Sequence, residues 1–283
     1  MGFNSTTYKQ TTRQQWQDYA AGWHAWAPLL EEWLGAATDR MLELAEVSAG
    51  DDVLDVAAGA GGQSIAAARR VGPTGSVLAT DLSPAILDHA AQAASAAGVT
   101  NVYTRELDGE AIDELSPGSF DAAISRVGLI YFPDRPRALR GIRRALRDGG
   151  RFATISYSSA GANEFFSIPV SIIRERAGLP APAPEQPGPF SLADTELVRS
   201  EFTGAGFTDV NVELLDAPVR LPSAAECVRF ERESFGALHQ MLGSLEPTEQ
   251  DDVWAEIEQR LEQFETADGF VGPCELVVIG ATR

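Results

Sequence analysis

Val53-Leu54-Asp55-Val56-Ala57-Ala58-Gly59-Ala60-Gly61-Gly62 is an apolar strand that runs directly into a turn of small residues. The run Val53–Ala57 has the length and branched apolar content of a buried strand. Small residues at 57, 59 and 61 allow the backbone to approach a ligand closely. Ser64–Val71 then reads as a helix.

The alternation continues downstream. Ser76–Thr80 is a second strand, followed by a helix over Pro84–Ala97. Val102–Glu106 is a third strand, and Phe120–Ser125 a fourth, entered through the turn Ser116-Pro117-Gly118. Pro136–Arg147 reads as a helix stopped by Asp148-Gly149-Gly150, and Arg151–Tyr157 as a fifth strand. A helix over Asp194–Ala205 precedes a strand at Asp209–Leu215, and Glu275–Ala281 is the last strand. Strands alternating with helices imply βαβ units. The expected fold is α/β, Rossmann-like and doubly wound, with a mostly parallel seven-stranded sheet.

Two segments stand outside this pattern. Residues 11–47 read as helical, with a break at Pro28 and a second helix from Ala36 to Val47. Trp16, Tyr19, Trp23 and Trp26 recur on one face, continued by Leu29, Leu30, Trp33 and Leu34. Trp16 and Trp33 read as core. Tyr19, Trp23 and Trp26 are placed to fold over a ligand mouth, so Trp23 and Trp26 are candidate substrate contacts. The second segment is the long, helical-looking stretch between the last two strands, Ala224–Leu242 and Pro247–Phe264. Adjacent strands do not need so long a connection, so it reads as a cap. The expected organisation is a helical lid segment at 1–50, a core at 51–221 and 271–283, and a helical substrate cap at 222–270. Pro180–Pro189 is a proline-rich loop.

Three acids lie at the ends of the first three strands. Asp55 would repel a pyrophosphate at the loop but attract a ligand carrying an ammonium and a sulfonium. A nicotinamide dinucleotide pattern, G-x-G-x-x-G, would also want glycine where Ser64 stands. Asp81 follows the loop at the spacing of a ribose-binding acid, and Ser83, just before Pro84, is the better helix cap. Asp108-Gly109 can accept an adenine amino group, or can be plain turn chemistry.

Together with Ser119-Phe120-Asp121, Ser125–Asp134 and Leu146–Arg151, these pieces resemble the class I S-adenosylmethionine-dependent methyltransferases. The nearest subgroup is that of ubiquinone/menaquinone biosynthesis and natural-product methyltransferases, and Ala57 stands at the family's usual first glycine. The resemblance covers residues 15–157 and implies the cofactor S-adenosylmethionine, released as S-adenosylhomocysteine. It implies that Asp55 and the loop Ala57, Ala58, Gly59 and Gly61 hold the methionine part. Asp81 would hold the ribose, with Leu82 beside the adenine and Asp108 and Gly109 at its edge. The backbone of Ser125 and Arg126 would line the methionine end, Tyr19 would close over the carboxylate, and Gln63 would add a contact. The implied reaction is methyl transfer to an oxygen, carbon or nitrogen of a small, apolar or aromatic metabolite. A chain of this fold using the cofactor for non-methylating chemistry is the alternative, and a nicotinamide-dependent oxidoreductase a more distant one.

No catalytic base is evident. His24 and His239 are the candidates among three histidines, and His89 reads as a solvated helix residue. No group of His, Asp and Glu has metal-ligand spacing, so no metal is expected. Acids outnumber bases by 41 to 22, a net charge of −19, which disfavours a nucleic-acid partner. The basic cluster from Arg135 to Arg147 reads as a solvated helix face. No apolar run is long enough to span a bilayer. The N-terminus has no secretory h-region, and Gly2 with Thr6 is not read as a lipidation signal. Two distant cysteines, Cys227 and Cys274, suit a reducing, cytoplasmic compartment. The oligomeric state stays open, with a homodimer as one option.

Overall fold

A computed structural model describes residues 3–183 and 186–283. Gly2 and the middle of the proline-rich loop lie outside the described residues. Helices α1 (Ser5–Asp18), α2 (Ala20–Ala25) and α3 (Ala27–Leu44) lead into β1 (Asp52–Val56), α4 (Gly62–Val71), β2 (Ser76–Asp81) and α5 (Pro84–Ala96). Next come β3 (Val102–Glu106), β4 (Phe120–Arg126), α6 (Arg135–Ala145), β5 (Leu146–Tyr157) and α7 (Glu164–Arg176). The chain continues through α8 (Thr195–Gly204), β6 (Thr208–Asp216), β7 (Val219–Leu221), α9 (Ala224–Ser234), α10 (Gly236–Leu242) and α11 (Pro247–Leu261). It ends with β8 (Glu265–Thr266), β9 (Gly269–Gly272) and β10 (Glu275–Thr282).

Seven strands form one sheet in the order β3-β2-β1-β4-β5-β10-β6. Its first five strands are parallel, and β10 inserts antiparallel between β5 and β6. Val53, Leu54, Val77, Ala123 and Ile124 are fully buried, because helices cover both faces of the central strands. The strand order reverses beside β1, and the crevice at such a switch point, beyond the strands' carboxyl ends, is where this architecture binds ligands. Ser83 caps α5 through the Ile86 amide, with Pro84 at its first position.

Several elements differ from expectation. The N-terminal segment breaks at Tyr19 and Trp26, not at Pro28, which sits in the first turn of a continuous α3. Proline costs nothing there, because first-turn amides have no helical acceptor. Helix α6 ends at Ala145, two residues early, as the chain turns into β5. Helix α7 lies outside the expected elements, and a small sheet, β7-β9-β8, packs beside α9. The arginine cluster is more than a solvated face. Arg135 pairs with Glu201 at 2.8 Å, and Arg144 donates to the Asp113 and Leu115 carbonyls, tying α6 to its neighbours. Among the described residues, no helix is long and apolar enough to cross a membrane.

Candidate active site

The turn after β1 is built from left-handed residues. Ala57, Gly59 and Gly61 have φ of 57°, 56° and 85°. Gly61 must stay bare for a second reason: a Cβ there would lie 2.9 Å from the Ala90 Cβ of α5. The turn is anchored sideways to β2, where the Ala58 amide donates to the Thr80 carbonyl at 2.9 Å. The Gly59 amide donates to Asp81 Oδ2, and the Ser83 amide to Asp81 Oδ1, each at 3.0 Å. Burial raises the Asp81 carboxyl above its ordinary value, against the amides of Ser83, Gly59 and Leu82, which favour the anion.

A cavity opens over this turn. Its floor is Ala57, Ala58, Gly59 and Gln63. One wall carries Asp81, Leu82, Ile86 and Leu107, and the other Arg126, Val127 and Gly128. Asp108, Gly109 and Phe132 close the far end. Gly109 is required there, since a Cβ would run into the Phe132 ring. Val127 has φ of 59°, a strained position for a β-branched residue, directly at the cavity edge.

Helices α1 and α2 border this cavity. Trp16 and Trp23 meet edge to face at 5.4 Å and both line the cavity. Lys9 reaches from α1 to Asp108 at 2.7 Å and also pairs with Glu110. Arg13 pairs with Glu106 at the end of β3. A second, larger cavity of about 750 Å³ adjoins the first. Tyr131, Tyr157 and Phe235 line both. Burial raises both phenols above their ordinary values, which disfavours the phenolate.

Of the residues singled out in the sequence, Ala57, Ala58, Gly59, Gln63, Asp81, Leu82, Asp108, Gly109, Arg126 and Trp23 line the first cavity. Others sit behind its wall. Asp55 is fully buried, accepting from the Ser64 hydroxyl and, at 3.4 Å, from Gln63 Nε2. Burial pushes its carboxyl up to about 7. Asp55 itself does not line the cavity; it holds Gln63, which does. Gly61 packs on α5, and the buried Ser125 hydroxyl lies next to Gly128, unpartnered among the described residues. Tyr19 does not close over the cavity, because its ring stacks on His239 at 4.9 Å and covers Gly236. Trp26 instead donates to Glu233 at 2.8 Å and lies under the Arg229 guanidinium.

Neither histidine candidate lines either cavity. His239 Nε2 is engaged with the Arg232 carbonyl at 2.7 Å. His24 stacks on His89 at 4.7 Å, so His89 is a packing partner rather than a solvated residue. Burial and His24 hold the His89 imidazole below its ordinary value. Trp16, expected in the core, is a cavity residue, whereas Trp33 is core and donates to the Ala217 carbonyl at 2.7 Å. Lys9, Tyr157 and Phe235 were missed. A lone lysine in a polar helix carries no signal, but Tyr131-Phe132-Pro133 stood inside a quoted motif.

Residues 53–150 match the family model described as a methyltransferase domain. An uncharacterised protein of Mycobacterium tuberculosis is 36% identical over 62% of this chain, a match spanning 60% of that protein's length. Nocamycin O-methyltransferase of Saccharothrix syringae is 30% identical over 67% of this chain and 70% of its own length. Among solved structures, the YcgJ protein of Bacillus subtilis is similar with a TM-score of 0.59 at 18% identity, over 88% of this chain and 98% of that one. On this domain match, this relative and this shared fold, the chain belongs to the class I methyltransferase family.

Proposed function

We propose that the chain methylates a small, apolar or aromatic acceptor, using S-adenosylmethionine bound over the turn after β1. The observation that carries this reading is the Asp81–Gly59 hydrogen bond. It sets a carboxylate beside a bare, left-handed turn at the mouth of an apolar slot. Such a carboxylate can accept from both hydroxyls of a ribose. Leu82, Ile86, Leu107 and Phe132 give the first cavity an apolar lining that suits an adenine, with Asp108 beside it to accept an amino proton. Gln63 and the bared turn suit the polar methionine end. The cofactor supplies a methyl group already activated on a sulfonium.

The chain's own residues then align, enclose and exclude water. Trp16 and Trp23 close the mouth, and Lys9 latches the lid to the β3 end. The segment 1–50 serves as a lid and 222–270 as a cap, with Phe235, Leu238 and Met241 bordering the larger cavity. That cavity takes the acceptor. Among the described residues, no histidine borders it, and its phenols are held neutral. The acceptor's nucleophile must therefore bring its own acidity or electron density.

Incubation with S-adenosylmethionine carrying a trideuterated methyl group, and a panel of phenolic, enolic and carboxylic aromatic acceptors, tests this directly. The expected result is an acceptor that gains the labelled methyl, with S-adenosylhomocysteine formed in equal amount. A cofactor that binds but is never demethylated across the panel would favour non-methylating use of the fold.

A further inference from the structure

The larger cavity is apolar over most of its wall, formed by Phe166, Val170, Phe190 and the aromatic frame shared with the first cavity. One side departs from this. Ser167, Ser171 and Arg174 recur at helical spacing along α7 and all line the cavity. The opposite face of α7, with Phe165, Ile172 and Ile173, is buried in the protein. Ser191 lines the cavity too. The Arg174 Nε and the Ser191 hydroxyl are each buried without a hydrogen-bond partner among the described residues. No carboxylate among the described residues lies within ion-pair distance of Arg174. Most arginines of this acidic chain are by contrast committed to ion pairs or to carbonyls, Arg135, Arg144 and Arg176 among them.

A buried donor left unpaired costs free energy unless something accepts from it. Arg174 is half-buried, with its Nε sealed from solvent, and the planar fork of a guanidinium matches a carboxylate with two parallel hydrogen bonds. The geometry points to an anion subsite: Arg174, with Ser191 and the α7 serines, receives a carboxylate carried on the apolar body of the acceptor. This inference rests on the reading of the larger cavity as the acceptor site. It adds an orienting element, since a group fixed at Arg174 sets which part of the acceptor faces Tyr131, Tyr157 and Phe235, the residues shared with the first cavity.

A matched probe pair separates charge from shape. The full-length protein is titrated with 2-anthracenecarboxylate and with 2-anthracenemethanol, by fluorescence, with and without S-adenosylhomocysteine. The expected result is a preference for the carboxylate of about tenfold or more, the level of one charge-assisted hydrogen bond. Arg174→Gln should erase the preference while leaving the alcohol's affinity unchanged, and Arg174→Lys should restore part of it. Unchanged binding of the alcohol shows that the variant remains folded. Equal affinity for the two probes in the unaltered protein, no binding of either, or a preference that survives Arg174→Gln would overturn the subsite. Calorimetry with S-adenosylhomocysteine alone reports separately on the cofactor reading, so failure of one is not mistaken for failure of the other.

Discussion

Asp81 and Gly59 are joined across the ends of β2 and the small-residue turn: Asp81 Oδ2 accepts the Gly59 amide proton at 3.0 Å. The other oxygen accepts the Ser83 amide at the head of α5. One carboxylate thus shapes the turn, orders the next helix start and faces the cavity. Asp81→Ala is expected to weaken S-adenosylhomocysteine binding at least tenfold, since hydrogen bonds to a charged group are worth about 1.5–3 kcal/mol. Calorimetry on the variant, with far-ultraviolet circular dichroism as the folding control, checks this. Unchanged affinity in a folded variant would remove Asp81 from the ribose role.

Asp55 gives the protein a pH dependence of known sign. Its folded carboxyl keeps its proton up to about 7, while the ordinary value is 3.8. The folded state therefore binds more protons between these values. The stability contributed is full below the lower value and is lost as pH rises through the upper one. Asp55→Asn removes the cost of burying the anion. Its stability relative to the unaltered protein should rise by on the order of 4 kcal/mol between acid and mildly alkaline pH. Urea unfolding at several pH values measures the gap. A gap that stays flat contradicts a buried, protonated Asp55.

Ala57 and Gly128 compete for one small volume. A Cβ on Gly128 would lie 2.6 Å from the Ala57 Cβ and 2.7 Å from the Ser125 hydroxyl. Gly128→Ala should cost about 1–3 kcal/mol of stability through overpacking. Ala57→Gly relieves the left-handed strain at 57 and frees space, so the double variant should regain part of that loss. Strictly additive effects in a double-mutant cycle would show that the two positions do not share the space.

These positions also mark how far the sequence carries. The strand-and-turn reading at 53–62 was sufficient for the parallel sheet, because a buried strand followed by bare turn residues has few other uses. The spacing to Asp81 located the second strand's end without any tertiary knowledge. Asp55 shows where such reading stops: sequence places an acid at a strand end, but not whether its side chain points to the ligand or behind the turn. The surroundings of the two histidine candidates were illegible for the same reason: His24 stacks on His89 and His239 on Tyr19, each a partner distant in the chain. Lys9 and Arg174 are single charges in ordinary helices, and only packing turns them toward a cavity. The Pro28 break was misplaced because proline's effect depends on which turn of a helix it occupies.

Glu231 is a buried acid without a use in the fold. It is fully buried in α9, and neither carboxyl oxygen has a partner among the described residues. Burial holds its carboxyl well above the ordinary value. Glu231→Met, of similar length, should raise the melting temperature by several degrees, since an unpaired buried polar group costs about 1–3 kcal/mol. Differential scanning fluorimetry measures it. A lower melting temperature would mean that the carboxyl has a stabilising partner.

The turn after β1 and the acids beyond β2 and β3 are proposed to form a site for S-adenosylmethionine. Isothermal titration of the purified protein with S-adenosylhomocysteine, alongside NADH as the rival ligand, tests it most directly. Saturable one-to-one binding of S-adenosylhomocysteine, with none of NADH, is the expected result. No binding of S-adenosylhomocysteine at cellular concentrations, or tighter binding of NADH, would contradict it.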